Sequence, residues 1–324
     1  MSFNLDLFIQ VLIIGLATGS LISLIALGYT LVYGIIELIN FAHGEVFMMG
    51  AFFTAALVAA TGATYKSGVP MIVGVLILAL IGAMIFSALI NFGIDRIAYQ
   101  RLRNSPRLAA LITAIGFSFI LQNIGIYWMG SNPFRPPELI PVQYRSLNIL
   151  TEWLGLETDI RFRLLDLLVI GVTIPLLIAL SWFVYRTRVG TAMRATAQDR
   201  EAASLMGINI NWTIGVAFLL GGALAGAAGM VAIYYNDNAR FQMGFRYGLF
   251  AFTAAVLGGI GNLTGAVLGG FLIGLVWAIS DGFVKQYISA WGPQWTTSLV
   301  FGLLILVLVF RPSGILGEET TDKV

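Results

Sequence analysis

The chain has 324 residues, of which 58% are apolar and 10% charged, and its formal net charge is +2. Soluble domains carry about 25% charged residues, so the polar coat of a soluble fold is missing, and so small a net charge gives nucleic acid no basic footprint. The absence of cysteine excludes disulfides, thiolate zinc sites and redox dithiols.

Eight runs lack Asp, Glu, Lys and Arg for 19 residues or more: 7–36, 46–65, 67–94, 108–134, 167–185, 202–236, 247–280 and 286–310. Each is long enough to cross a hydrocarbon core of about 30 Å as a helix. The expected fold is all-α, a polytopic transmembrane helical bundle of eight or nine spans forming a single domain over 1–324. A transmembrane β-barrel is excluded, because its strands alternate apolar and polar residues. The opening MSFNLDLF lacks the basic region of a cleaved signal, so the first run is read as a retained helix.

After that run comes INFAHGEVFMMGAF, residues 39–52, with the only histidine, His43, between Asn40 and Glu45. Glu37 lies one turn upstream. Ionisable groups at membrane depth usually face a protein interior or a wet cavity. The segment therefore reads either as a broken helix lining a pathway or as a cytoplasmic turn with solvated charges. A proton relay or a metal site is the weaker reading, since no carboxylate series and no ligand spacing accompany His43.

Spans 46–62 and 71–91 follow, then an arginine cluster at Arg96, Arg101, Arg103 and Arg107. A second cluster lies at Arg186, Arg188, Arg194 and Arg200. Basic short loops are cytoplasmic. The two spans between the clusters, 108–130 and 164–185, then place the loop 131–163 on the periplasmic side and the N-terminus outside.

Loop 186–211, on the cytoplasmic side, carries EAASLMG from Glu201 to Gly207. One helix is expected over 191–206, stopped by Gly207. Met193, Ala197, Ala202, Ala203, Leu205 and Met206 would form its apolar side, and Arg194, Asp199, Arg200 and Glu201 its polar side. Such a helix lies on membrane lipid or docks in a partner's groove.

Span 212–235 runs outward to an external loop, 236–247. The run 247–280 would be about 51 Å long as one helix, too long for a single crossing. It contains GGIGNLTGAVLGG, so a break is expected near Gly258–Gly265, with Asn262 a further pathway candidate. Asp281 then lies near the outer surface. The last span, 295–310, ends inside at Arg311.

A faint internal repeat is visible. FTAA occurs at Phe53–Ala56 and Phe252–Ala255, each after a Gly/Ala/Ser-rich span beginning at Gly15 or Gly215. By this topology the copies run in opposite directions, an inverted plan that transporters use. No phosphate loop, HExxH, GxSxG or channel-filter sequence occurs. No catalytic residue, cofactor or metal is expected, and the chain is not read as an enzyme.

EAASLMG resembles the cytoplasmic signature of ABC importer permeases. More specifically, SLIALGYTLVYGIIELINFAHGEVFMMGAF at 23–52, TAMRATAQDREAASLMGIN at 191–209, VLGGIGNLTGAVLGG at 256–270 and RPSGILG at 311–317 resemble the bacterial branched-chain amino acid permeases. The distal Leu-Pro of the signature is replaced by Asn211–Trp212. The resemblance implies a coupling role for Arg194, Asp199, Arg200, Glu201, Ala202, Ala203 and Gly207. It also implies ATP-binding cassette ATPase subunits, a second permease subunit, a periplasmic solute-binding protein and residence in the bacterial inner membrane. Permeases for urea and some sugars look similar, and an ion-coupled secondary transporter is the alternative from another class.

Overall fold

The computed structural model describes residues 5–103, 105–140, 160–161, 163–288 and 290–317. Much of the expected loop 131–163 lies outside the described residues. The described residues form helices α1 (Leu5–Ile36), α2 (His43–Thr61), α3 (Val69–Ile94), α4 (Arg107–Met129), α5 (Leu164–Arg186), α6 (Arg188–Gln198), α7 (Arg200–Leu205), α8 (Ile210–Tyr235), α9 (Met243–Gly258), α10 (Leu263–Ala278) and α11 (Pro293–Phe310). α3 continues through a π turn to Leu102 and α10 to Tyr287. Eight helices are long and apolar enough to cross a membrane, and α9 is a shorter apolar ninth. The chain is a multi-pass membrane protein.

α1, α2 and α8 are buried along most of their length. α3, α4, α5 and α11 ring them and turn Ile77, Ile81, Ile112, Phe119, Ile178 and Ile305 outward. Because lipid is as apolar as these side chains, close backbone contact must hold the bundle instead. The central helices supply it with small residues. Gly270 and Gly274 of α10 lie on Ser23 and Gly19 of α1, and Gly222 and Gly226 of α8 lie on Ser87 and Ala83 of α3.

Those contacts expose the repeat. α1 runs antiparallel to α10, and α3 antiparallel to α8, so that each half's first helix packs on the other half's third. Polar bonds tie the two pairs alike: Ser23 Oγ donates to Val267 O at 3.0 Å, and Asn91 Nδ2 donates to Phe218 O at 2.7 Å. α1 and α8 are themselves antiparallel, with Thr18 beside Tyr235 and Gly28 beside Gly221. FTAA falls on α2 and on α9, as the repeat requires. Glu37 and Asp237, which follow α1 and α8, are the only non-glycine residues with positive φ among the described ones, at 53° and 54°. Each begins a non-helical stretch that turns back into the bundle before α2 or α9 starts.

The long run breaks as expected. α9 ends at Gly258, and Gly259 and Gly261 take φ of 104° and 94°, a region costly for residues with a Cβ. α10 returns antiparallel to α9, Gly265 against Gly258 and Gly269 against Ala254. The carbonyls freed at the end of α9 cannot be satisfied by lipid. The RPSGILG segment satisfies them: Ile315 N donates to Leu257 O at 2.9 Å and Leu316 N to Gly258 O at 3.0 Å. Gly282 packs on Val11 and Phe283 on Phe8, so Asp281 stands at the end where α1 begins, opposite the turn.

Candidate translocation pathway and docking helices

The two re-entrant helices start deep in the bundle. His43, the first residue of α2, packs on Gly28, eight residues before the end of α1 and so about 12 Å inside it. Gly44 and Gly244 approach so closely that a methyl at Gly44 would overlap the Gly244 carbonyl and the Gly248 Cα one turn further along α9. The first turns of α2 and α9 therefore meet in the interior. Helix N-termini carry partial positive charge and unpaired amides, and neither α2 nor α9 has a side-chain cap.

Three of the sequence candidates gather here. Asn40 is buried: its Oδ1 accepts from Ala42 N and its Nδ2 donates to Asn91 Oδ1, both at 3.1 Å. His43 is buried with its ring edge-on to Tyr29, 4.7 Å between centroids. Glu45 is fully buried in the first turn of α2. Its Oε1 accepts from Ser118 Oγ of α4 at 3.4 Å, while Oε2 lies against Gly244 without a hydrogen bond. This buries a carboxyl group where two helix N-termini face each other. The solvated-turn reading of this segment is corrected: after Glu37 the chain leaves the surface.

The other two candidates stand apart. Glu37 is exposed at the start of the re-entrant stretch. Asn262 caps α10 by accepting from Gly265 N at 3.0 Å and donates to Leu316 O at 2.9 Å, so both ends of its amide hold the turn. Asn91, Tyr29 and Ser118 join the central group and were not singled out as candidates. Asn91 is one of several polar residues inside the charge-free runs, and nothing in the spacing marks Tyr29 or Ser118.

The single helix expected over 191–206 is corrected to two. Asp199 is extended, with φ −157°, and its side chain caps α7 by accepting from Ala202 N at 3.0 Å. Aspartate prefers this capping role to a helix interior. Gly207, with φ 82°, ends α7 as expected. The break divides the apolar side. Met193 and Ala203 turn inward, whereas Leu205 and Met206 are each 83% exposed. Arg194 lies over the Tyr185 ring, and Glu201 and Ala202 are exposed. Arg200 turns inward and donates to Ile35 O at 2.9 Å, satisfying one of the orphan carbonyls at the end of α1. Nearby, Arg103 pairs with Asp95 at 2.7 Å and also bonds Asn211. Arg200 thus fastens α7 to the end of α1, and Arg103 ties the extension of α3 to the start of α8.

Two inverted three-helix repeats with re-entrant helices meeting between them define a transport protein of the broken-helix kind. Residues 11–309 match the sequence profile described as branched-chain amino acid transport system / permease component, and the chain belongs to that family. It is 37% identical to the high-affinity branched-chain amino acid transport system permease protein BraD of Pseudomonas aeruginosa and 38% identical to LivH of Escherichia coli K12, each over 98% of both chains. The D-allose transport system permease protein AlsC of Escherichia coli K12 is 28% identical over 70% of this chain and 69% of its own.

Proposed function

We propose that the chain is the membrane-spanning permease subunit of an ABC importer that moves branched-chain or other neutral amino acids across the bacterial inner membrane. The observation that carries this reading is the likeness to two branched-chain amino acid permeases along 98% of both chains. ATP hydrolysis falls to partner ATP-binding cassette subunits, which dock on α6–α7 around Glu201, Leu205 and Met206. A second permease subunit completes the membrane part, and a periplasmic binding protein delivers and selects the solute. The end bearing Arg96, Arg103, Arg194, Arg200 and Arg311 is cytoplasmic by the positive-inside bias, and the end bearing Asp281 and residues 131–140 faces out. Arg200 converts movement of the docking helices into movement of the α1 terminus and of the re-entrant stretch behind it. Asn40, His43 and Glu45 line the pathway at its midpoint.

Mass spectrometry of the complex purified through this chain is expected to reveal the ATPase and second permease subunits. Uptake of labelled leucine should be blocked by vanadate and spared by a protonophore. The opposite inhibitor pattern would replace this reading with ion-coupled transport.

A further inference from the structure

Each re-entrant stretch borders a cavity, one at each end of the molecule, and the two differ in charge. At the end where α1 terminates, a cavity of about 460 Å³ is lined by Glu37, Asp199 and Glu201 together with Arg103 and Arg200. Three acids outnumber two arginines there. At the opposite end, beside the start of α9, a cavity of about 410 Å³ includes Asn236, Arg240, Gln242, Arg246, Tyr247 and Trp277 in its lining, and no acidic residue lines it. Both arginines are exposed and neither makes an ion pair among the described residues. Their presence also runs against the positive-inside bias, which gives this end no reason to gather arginines.

The remaining polar lining is rich in donors. The Trp277 indole Nε1 is buried without a partner. Tyr247 is held upright by its hydroxyl, which donates to Asn236 Oδ1 at 3.1 Å, and its ring meets Phe47 of α2 at 5.5 Å. The uncapped first turn of α9 begins at the cavity wall with Met243. Guanidinium groups engage carboxylates through paired N–H donors, and the volume lies in the range of small-molecule sites, about 300–1,000 Å³.

We propose that this cavity is an entry site that binds the α-carboxylate of the incoming amino acid through Arg240 and Arg246, with Trp277 and Tyr247 against its side chain. The proposal rests on the amino acid import reading above and names the group by which the permease first holds its substrate. Carboxylate capture at the start of α9 places the solute at the outer end of the helix whose first turn meets Gly44 and Glu45 in the interior.

The test uses the assembled complex in nanodiscs and equilibrium dialysis with labelled L-leucine, competed by L-leucinamide, which lacks the carboxylate charge. Wild type should bind leucine, and leucinamide should compete at least about tenfold less well, the loss of a charge-assisted interaction. Arg240→Gln with Arg246→Gln should weaken leucine binding by about tenfold or more, with gel-filtration profiles unchanged because both side chains are exposed. Equal binding by the variant, equal competition by leucinamide, or no leucine binding by wild type would each overturn the site. So would a variant that loses only association with the binding protein. The import reading is judged separately, by wild-type uptake, so either can fail while the other stands.

Discussion

Asn91 is fully buried and joins three elements: it accepts from Asn40 before α2 and donates to the Phe218 carbonyl of α8. Asn91→Leu deletes both bonds, each worth about 0.6–1 kcal/mol inside a membrane bundle. It also leaves the Asn40 amide nitrogen buried without an acceptor, at about 1–3 kcal/mol. The expected loss is therefore about 2–5 kcal/mol. Asn40→Leu should cost a comparable amount, because Asn91 Oδ1 loses its donor and Ala42 N its acceptor. The double variant pairs two apolar groups and removes the orphaned side-chain amides, leaving only Ala42 N without its acceptor, so its cost should fall short of the sum by about 1–3 kcal/mol. Reversible unfolding in mixed micelles, run as a double-mutant cycle, measures this. Additivity within about 0.5 kcal/mol, or an Asn91→Leu cost below about 0.6 kcal/mol, would refute the bridge.

Gly259→Val should lower the folded yield sharply in detergent-solubilised gel filtration, since φ is 104° and a Cβ would overlap Gly317. Positive φ alone costs about 1–2 kcal/mol. In a chain without cysteine, cysteines placed at 238 and 281 should label from outside and one at 201 from inside; labelling of 238 and 201 from the same side would overturn the orientation. Leu205→Ser with Met206→Ser should weaken ATPase association by at least about tenfold, because burying each side chain is worth about 1.5–3 kcal/mol. Undiminished co-purification of the ATPase would remove α7 from the docking surface. Arg200→Gln should leave ATPase association intact and lower uptake, the separation expected of a residue that joins Ile35 instead of a partner.

The spans were legible because lipid demands unbroken apolar runs, and the break at Gly258–Gly261 because a run of 34 residues (247–280) exceeds one crossing. The inverted repeat left one readable trace, FTAA. Its stronger marks, the paired positive φ at Glu37 and Asp237 and the matched glycine contacts, depend on backbone geometry that residue identity does not report. The depth of His43 was hidden for the same reason, since one charge and one histidine read alike at a surface or in a core. The break at Asp199 was missed because helix propensity over 191–206 outweighed a single capping aspartate. Asn91 was missed as a hub because its partners lie 51 and 127 residues away, and no local pattern encodes such pairings.

The crossed packing of the halves has a consequence for biosynthesis. Ser23 and its acceptor Val267 are separated by 244 residues. At about 5–20 residues per second, α1 waits roughly 12–50 s in the membrane before α10 exists to cover its glycine face. During that interval the first three helices form an unfinished unit, with α3 lacking α8 and α1 lacking α10. The nascent chain therefore has a long vulnerable period, in which a protease or a wrong helical neighbour competes with its own unmade second half.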